Sequence, residues 1–222
     1  MSAGEGIRRL DWPALRNARD LGGLPLVGGG HTADRVLVRS DTLVRLTPDG
    51  RARLLAYGVR SVVDLREGSL VAAEPNPLAA EPGIRYHHLE LLPADFPLPV
   101  IRGGYALAID TARARIGAVC RAILGSNGVT VVHCHSGTGR TGILAILLLA
   151  LAGVAEPAIA TDYLASLTDG DTTPEAAVPD QALAHLREAY GGAVGYLSAA
   201  GLAADEVARL RGLLRRGAAG SA

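Results

Sequence analysis

Residues 128–142 read GVTVVHCHSGTGRTG, and an apolar run from Ile143 to Val154 follows at once. No other stretch limits the possible folds as tightly. Val129, Thr130, Val131 and Val132 are four β-branched residues in a row behind a glycine, which predicts a strand. The run is continuous rather than alternating, as in a sheet covered on both faces. The loop that follows holds Gly137 and Gly139, which permit positive φ and close backbone approach. A helix is expected from about Thr141. Its free N–H groups and dipole converge with the loop amides, so the turn can cradle an anion. Cys134 ends the strand inside that positive potential, a setting that favours a thiolate nucleophile. Arg140, six positions on, offers a planar fork suited to two phosphate oxygens.

Composition removes several function classes. The chain has 222 residues, 49% of them hydrophobic and 20% charged, which suits one domain with a sizeable core and an appended helical part. Net charge is zero, which argues against broad attraction to nucleic acid or anionic membrane. All 22 basic residues are Arg. Without Lys there is neither a Walker A lysine nor a Schiff base, which disfavours P-loop nucleotide and pyridoxal chemistry. Two cysteines, Cys120 and Cys134, make no disulfide framework and suggest a reducing compartment. The start, MSAGEGIRRLDWP, carries no apolar signal-peptide core, so a cytoplasmic setting is expected, with signal-less export left open. The run from Ile143 to Ala155 is too short to span a bilayer and reads as a core helix.

The chain divides into an arm (1–16), an α/β domain (17–167), a helical C-terminal extension packed on the same domain (168–216) and a disordered tail (217–222). Trp12 anchors the arm by packing. LPLV and HTADRVLVRS flank Gly28-Gly29-Gly30 and predict a hairpin. Thr47-Pro48-Asp49 opens a helix that Gly58 stops. RSVVDL (60–65) is a buried strand, and the segment through Pro75, Pro77 and Pro82 a loop. IRYHHLELL (84–92) is the next strand. Pro93, Pro97 and Pro99 then hold a non-helical loop carrying Asp95 and Phe96. Tyr105 to Leu124 is an amphipathic helix with Leu107, Ile109, Ile116, Val119, Cys120 and Ile123 on its apolar face. Another helix runs from Glu156 to Leu167. Residues 168–178 are a polar linker, and short helices broken at Gly191-Gly192 and Gly201 fill 179–216. Strands alternating with helices imply a mostly parallel sheet, with sites beyond the strands' carboxyl ends. Cys134, Asp64 and the Asp95 loop all lie at such ends.

The stretch HCHSGTGRTG resembles the HC-x5-R-[ST] phosphate-binding loop of cysteine-dependent protein tyrosine and dual-specificity phosphatases. The resemblance widens through NARDLGGLP (17–25), VLVRSDTL (36–43), GVRSVVDLRE (58–67) and DYLAS (162–166), in that order. These are similar to the bacterial tyrosine phosphatases with a lid, the mycobacterial secreted type. Membership implies a tyrosine-phosphatase-like α/β fold and phosphomonoester hydrolysis with neither metal nor other cofactor. Many of that group read HC-x-x-G-K-D-R, whereas this chain has Thr138 and Gly139 before Arg140. The loop aspartate proposed as proton donor and the lysine associated with phosphoinositide head groups are therefore both missing.

The expected site follows. Cys134 attacks phosphorus, and the amides of His135, Ser136, Gly137, Thr138 and Gly139 hold the phosphate oxygens with Arg140. Thr141 can donate its hydroxyl to the sulfur, and His133 orders the loop from behind. For the proton donor, Asp95 is the first candidate, 39 residues before Cys134 in a Pro-rich loop. Asp64 is second, Asp110 reads as surface, and a site with no acid stays open. His87 and His88 face opposite ways on a strand and do not share a metal. Cys120 reads as core, with a disulfide to Cys134 as a minor alternative. Arg19, Arg39 and Arg66 are expected to pair with Asp20, Asp41 and Asp64. The substrate is a phosphorylated protein or a small phosphomonoester. Two other readings stay open: a phosphoinositide or inositol phosphate phosphatase, and a phospho-binding module of low turnover.

Overall fold

The computed structural model describes residues 7–93, 95–96, 104–167 and 177–216. The strands are β1 (Arg8–Arg9), β2 (Arg19–Asp20), β3 (His31–Thr32), β4 (Leu37–Ser40), β5 (Val59–Asp64), β6 (Arg85–His88), β7 (Val129–His133) and β8 (Arg215–Arg216). The helices are α1 (Pro48–Ala56), α2 (Gly68–Ala73), α3 (Gly104–Leu124), α4 (Gly139–Ala152), α5 (Glu156–Leu164), α6 (Val178–Tyr190), α7 (Ala193–Ala199) and α8 (Ala204–Leu213). The main sheet has the order β1-β2-β4-β7-β5-β6. Its last four strands are parallel, and β1 and β2 extend one edge antiparallel. Ser40 and Asp64 both lie in register with His133, so three strands end in one layer. Asp41, Leu65 and Cys134 are the residues that follow those ends.

The continuous apolar run of β7 is buried on both faces, as its composition predicts. Val63 and Val132 join one cluster with α3, α4 and α6 to α8, while Val62 and Val131 face the other with Trp12, Val38 and Leu54. Alternating side chains of one strand thus serve two layers. Nearly every side chain of α4 is buried, which explains why its sequence lacks a polar face. Leu183, Leu186, Tyr196, Leu197, Val207 and Leu210 belong to the same cluster, so the C-terminal helices share the core. Among the described residues no helix is long and apolar enough to cross a membrane.

Several expectations hold. Thr47 Oγ1 accepts from Gly50 N at 3.1 Å, and Pro48 opens α1. Trp12 is buried edge-on against Tyr57. Others need correction. The arm contributes an edge strand, because β1 pairs with β2, and Arg9 reaches the Ala165 carbonyl. The hairpin is short: Gly23 N donates to Thr32 O, Thr32 N to Leu24 O and Leu26 N to Gly30 O around an antiparallel Pro25–His31 bridge, while His31–Thr32 also pairs with β8 and Leu37–Ser40 enters the main sheet. The strand expected over 84–92 ends at His88, and α2 precedes the proline loop at Gly68–Ala73. Leu107, placed on the apolar face of α3, is 57% exposed. Nearly all of the 168–178 linker and the whole 217–222 tail lie outside the described residues.

Candidate active site

Cys134 follows β7 directly and is 1% exposed. The loop beyond it is anchored from both neighbouring strands. Thr42 N donates to His135 O at 2.9 Å, and Leu65 N to His133 O at 2.8 Å. Gly137 adopts φ +80°, and a Cβ there would sit 2.8 Å from Asp41 N and Ser40 O. Only glycine fits that turn. Gly142 lets α4 approach α5, since a Cβ on it would lie 2.7 Å from Tyr163 Cε2. Gly142 N closes the first turn onto Thr138 O at 2.7 Å. The amides of residues 139–141 precede the first intrahelical acceptor and share the positive end of the helix dipole.

Two buried arginines grip this loop through one carboxylate. Arg19 Nε donates to Asp162 Oδ1 at 2.7 Å, and Arg39 Nη1 to Asp162 Oδ2 at 2.5 Å. Arg39 Nη2 also donates to Gly137 O at 2.7 Å and to Ser166 Oγ at 3.2 Å. Thr138 Oγ1 donates to Ser166 O at 2.9 Å, and Asn17 Nδ2 to Ser136 O at 2.8 Å. The expected partners of Arg19 and Arg39 are therefore wrong. Asp20 instead accepts from Gly22 N, Arg35 N and Tyr57 Oη, and Asp41 accepts from Arg16 N, Asn17 N and Arg45. Burial and the like charge of Arg39 push the Arg19 guanidinium down to about 10, and Asp162 is the counterweight. Burial opposes ionisation of Asp162, but the two arginines outweigh it and hold the carboxyl below its ordinary range.

The Arg66 expectation holds, and it removes Asp64 as an acid. Arg66 grips the carboxylate of Asp64 through Nε at 2.9 Å to Oδ1 and Nη2 at 2.7 Å to Oδ2. Tyr86 Oη donates to Oδ2 at 3.0 Å. Burial alone would push the Asp64 carboxyl up, but the Arg66 hydrogen bonds bring it down to about 2. A fully buried carboxylate of that acidity keeps no proton to give. Behind the loop, His133 Nδ1 lies 3.1 Å from Cys134 O, and Nε2 lies 2.9 Å from Asn76 Nδ2. Burial pushes His133 below the usual imidazole range, so it stays neutral.

Arg140, at the start of α4, is ion-paired with Glu67, which follows β5 at the start of α2. Burial raises the Glu67 carboxyl, but its own backbone amide and Arg140 turn the net shift downward, so this side chain is ionised. His135 and Ser136 are exposed at the mouth, whereas Gly137, Thr138 and Arg140 are buried and Gly139 is half-buried. Thr141 Oγ1 is buried with no hydrogen-bond partner among the described residues, so the expected bond to the Cys134 sulfur is not made. Asp95 is exposed on a turn closed by Phe96 N to Pro93 O at 3.0 Å, and most of the rest of its proline-rich loop lies outside the described residues. Asp110, on α3, meets His185 at 2.9 Å and Tyr190 Oη at 2.5 Å, away from the loop's partners. Cys120 is buried and unpaired, with its thiol pushed up to about 12 by burial. His88 Nε2 donates to Arg66 O at 2.9 Å. Among the described residues no cluster of three or more His, Cys, Asp or Glu is placed to hold a metal.

Glu67, Asn76, Asp162 and Ser166 were not foreseen as parts of the site. Asp162 carried one usable signal: Arg19 and Arg39 sit in short segments bound for the sheet, and a buried arginine demands a carboxylate. Asn76, between two prolines, carried none.

A buried strand-end thiol, a loop with glycine at positive φ and a helix with Arg140 in its first turn are set in one mostly parallel α/β domain. Comparison with known sequences narrows the class. The model of the tyrosine phosphatase family matches residues 10–216, and the chain belongs to that family. A tyrosine-protein phosphatase of Nostoc commune is 29% identical over 222 residues, covering 82% of this chain and 74% of its own length. A Cupriavidus necator protein provisionally named a tyrosine-protein phosphatase is 30% identical over 186 residues. That match covers 73% of this chain and 64% of the relative, so the chain spans just under two thirds of it. Pseudomonas aeruginosa TpbA in complex with phosphotyrosine has a TM-score of 0.49 at 17% identity, over 83% of this chain and 98% of that one.

Proposed function

We propose that this chain is a cysteine-dependent phosphomonoester hydrolase acting on phosphotyrosine, and on phosphoserine or phosphothreonine where the cleft admits them. The observation that carries it is the placement of Cys134 beneath the 135–140 loop with Arg140 at the first turn of α4. The thiolate of Cys134 attacks phosphorus, forming an S–P bond as the P–O bond to the leaving oxygen breaks. The loop amides and Arg140 hold the three equatorial oxygens, where negative charge concentrates in the transition state. Asp95 gives its proton to the leaving oxygen. Water then attacks the phosphocysteine, Asp95 takes its proton, and the thiolate and inorganic phosphate are released. The unpartnered Thr141 hydroxyl is available to the departing sulfur. Glu67 holds Arg140 at the edge of the loop, and that pairing helps keep its carboxyl below the ordinary range.

The motif order supports the lid-bearing bacterial type, with residues 17–167 as the catalytic unit and 168–216 packed on it. Neutral Thr138 favours a phosphorylated protein or small monoester over a polyanionic inositol head group. Two free thiols suit a cytoplasmic setting. The test is hydrolysis of para-nitrophenyl phosphate and of phosphotyrosine peptides by wild type and Cys134→Ser. Wild-type turnover no higher than that of Cys134→Ser overturns the proposal. For Asp95→Ala, loss of the basic limb of the kcat/KM profile is expected, and an unchanged profile removes Asp95 as the acid.

A further inference from the structure

The histidine behind the loop can exist in two neutral forms, and the structure contains a device that chooses between them. His133 is fully buried. Its Nδ1 faces a carbonyl oxygen, that of Cys134, which only accepts. Its Nε2 faces Asn76 Nδ2 at 2.9 Å and Asp64 Oδ2 at 3.5 Å. An amide and an imidazole can each be turned to suit the other, so this contact alone assigns no proton. The other end of Asn76 settles it. Asn76 Oδ1 accepts from Leu78 N at 3.0 Å, in a turn that Ala79 N closes onto Asn76 O at 3.0 Å. Flipping the amide would set an NH₂ group against a backbone N–H. The NH₂ must therefore point at His133, so Nε2 accepts and carries no proton. The proton sits on Nδ1 and is donated to the Cys134 carbonyl.

The remaining polar groups agree. The second N–H of Asn76 points toward Asp64 Oδ2, 3.5 Å away. The Asp64 carboxylate is already met by Arg66 and Tyr86, so it does not need a proton from His133. The approach of Asp64 to Nε2 is then two acceptors sharing one donor group, rather than an ion pair. From this geometry we infer that Asn76 is a positioning residue: by fixing His133 as the Nδ1–H tautomer, it orients the Cys134 peptide and holds the loop in its anion-binding shape. Asn76 touches neither substrate nor sulfur and acts through His133. Its kinetic consequence rests on the reading of Cys134 as the nucleophile; its structural consequence does not.

The experiment is long-range ¹H–¹⁵N NMR of histidine-labelled protein, with kinetics of para-nitrophenyl phosphate hydrolysis and the pH dependence of Cys134 alkylation. Wild-type His133 is expected to show a protonated Nδ1 and a bare Nε2. In Asn76→Asp the turn to Leu78 N is kept, but a carboxylate now faces Nε2 and draws a proton there. In Asn76→Ala the Nε2 donor is lost, and the ring can turn its proton toward Asp64. Both variants should show a protonated Nε2, a loss in kcat/KM of about tenfold, the scale of one buried hydrogen bond, and a displaced alkylation profile. A wild type with a protonated Nε2, variants that keep the wild-type tautomer, or a changed tautomer with unchanged kinetics and alkylation would each overturn the inference. If wild type does not turn over at all, the hydrolase reading fails while the NMR result still judges the tautomer.

Discussion

Replacing Asp162 with Asn removes one charge from α5 and almost no volume. In the native protein that carboxylate is 3% exposed and receives Arg19 at 2.7 Å and Arg39 at 2.5 Å, both themselves fully buried. The amide leaves two buried guanidinium groups facing each other with no counter-charge. Arg19 is already pushed down to about 10 by burial and by Arg39, and Asp162 is what limits that fall. Breaking a buried ion pair by removing one partner costs roughly 3–5 kcal/mol, and here one carboxylate serves two arginines. For a domain of this size that corresponds to a fall in Tm of about 10 °C. Arg39 also holds Gly137 O, so the loop should loosen and KM should rise more than kcat falls. Thermal and urea unfolding measure the first effect, and initial rates the second. A stability loss below about 1 kcal/mol, the range of exposed ion pairs, would refute the view that this triad is a buried clamp on the loop.

Other outcomes follow from the same geometry. Gly137→Ala puts a Cβ within 2.8 Å of Asp41 N at φ +80°, so calorimetry with tungstate should show oxyanion binding largely lost. Asp64 is held at about 2, below its unfolded value, so its contribution is complete above the unfolded carboxylate range of ~4 and is lost as pH falls toward 2. An Asp64→Asn variant should therefore show a smaller loss of stability than wild type between neutral and strongly acid pH, read by denaturation at each pH. Glu67→Ala frees the Arg140 guanidinium from its partner and should lower kcat/KM by about tenfold, with the fold unchanged by circular dichroism.

Much of the fold could be read in the chain because it rests on local rules. The β-branched run before Cys134, the Thr47-Pro48 start of α1 and the amphipathic pattern of α3 each carry their own signal. The turn after Cys134 was legible for the same reason, since the positive φ of Gly137 and the start of α4 at Gly139 lie within a few residues of it. Partners distant in sequence were not. Arg39 chooses Asp162, 123 positions away, over neighbouring Asp41, because packing α5 against α4 brings that carboxylate in. Asp41 is left to cap backbone amides of residues 16 and 17. Asp64 and Arg66, two residues apart, are the one of the three expected pairs that forms. The β3–β8 pairing joins residues near opposite ends of the chain, which no local pattern announces.

The central claim is that Cys134 takes the phosphoryl group from substrate onto its own sulfur. The most direct measurement is acid-quenched mass spectrometry of the protein during turnover of a phosphotyrosine peptide, read on the peptide containing Cys134. Wild type should carry the mass of one phosphoryl group on that cysteine, and the adduct should accumulate in Asp95→Ala if the base that activates water is lost. Steady release of phosphate with no modified Cys134 at any quench time, or turnover that survives in Cys134→Ser, would contradict the account.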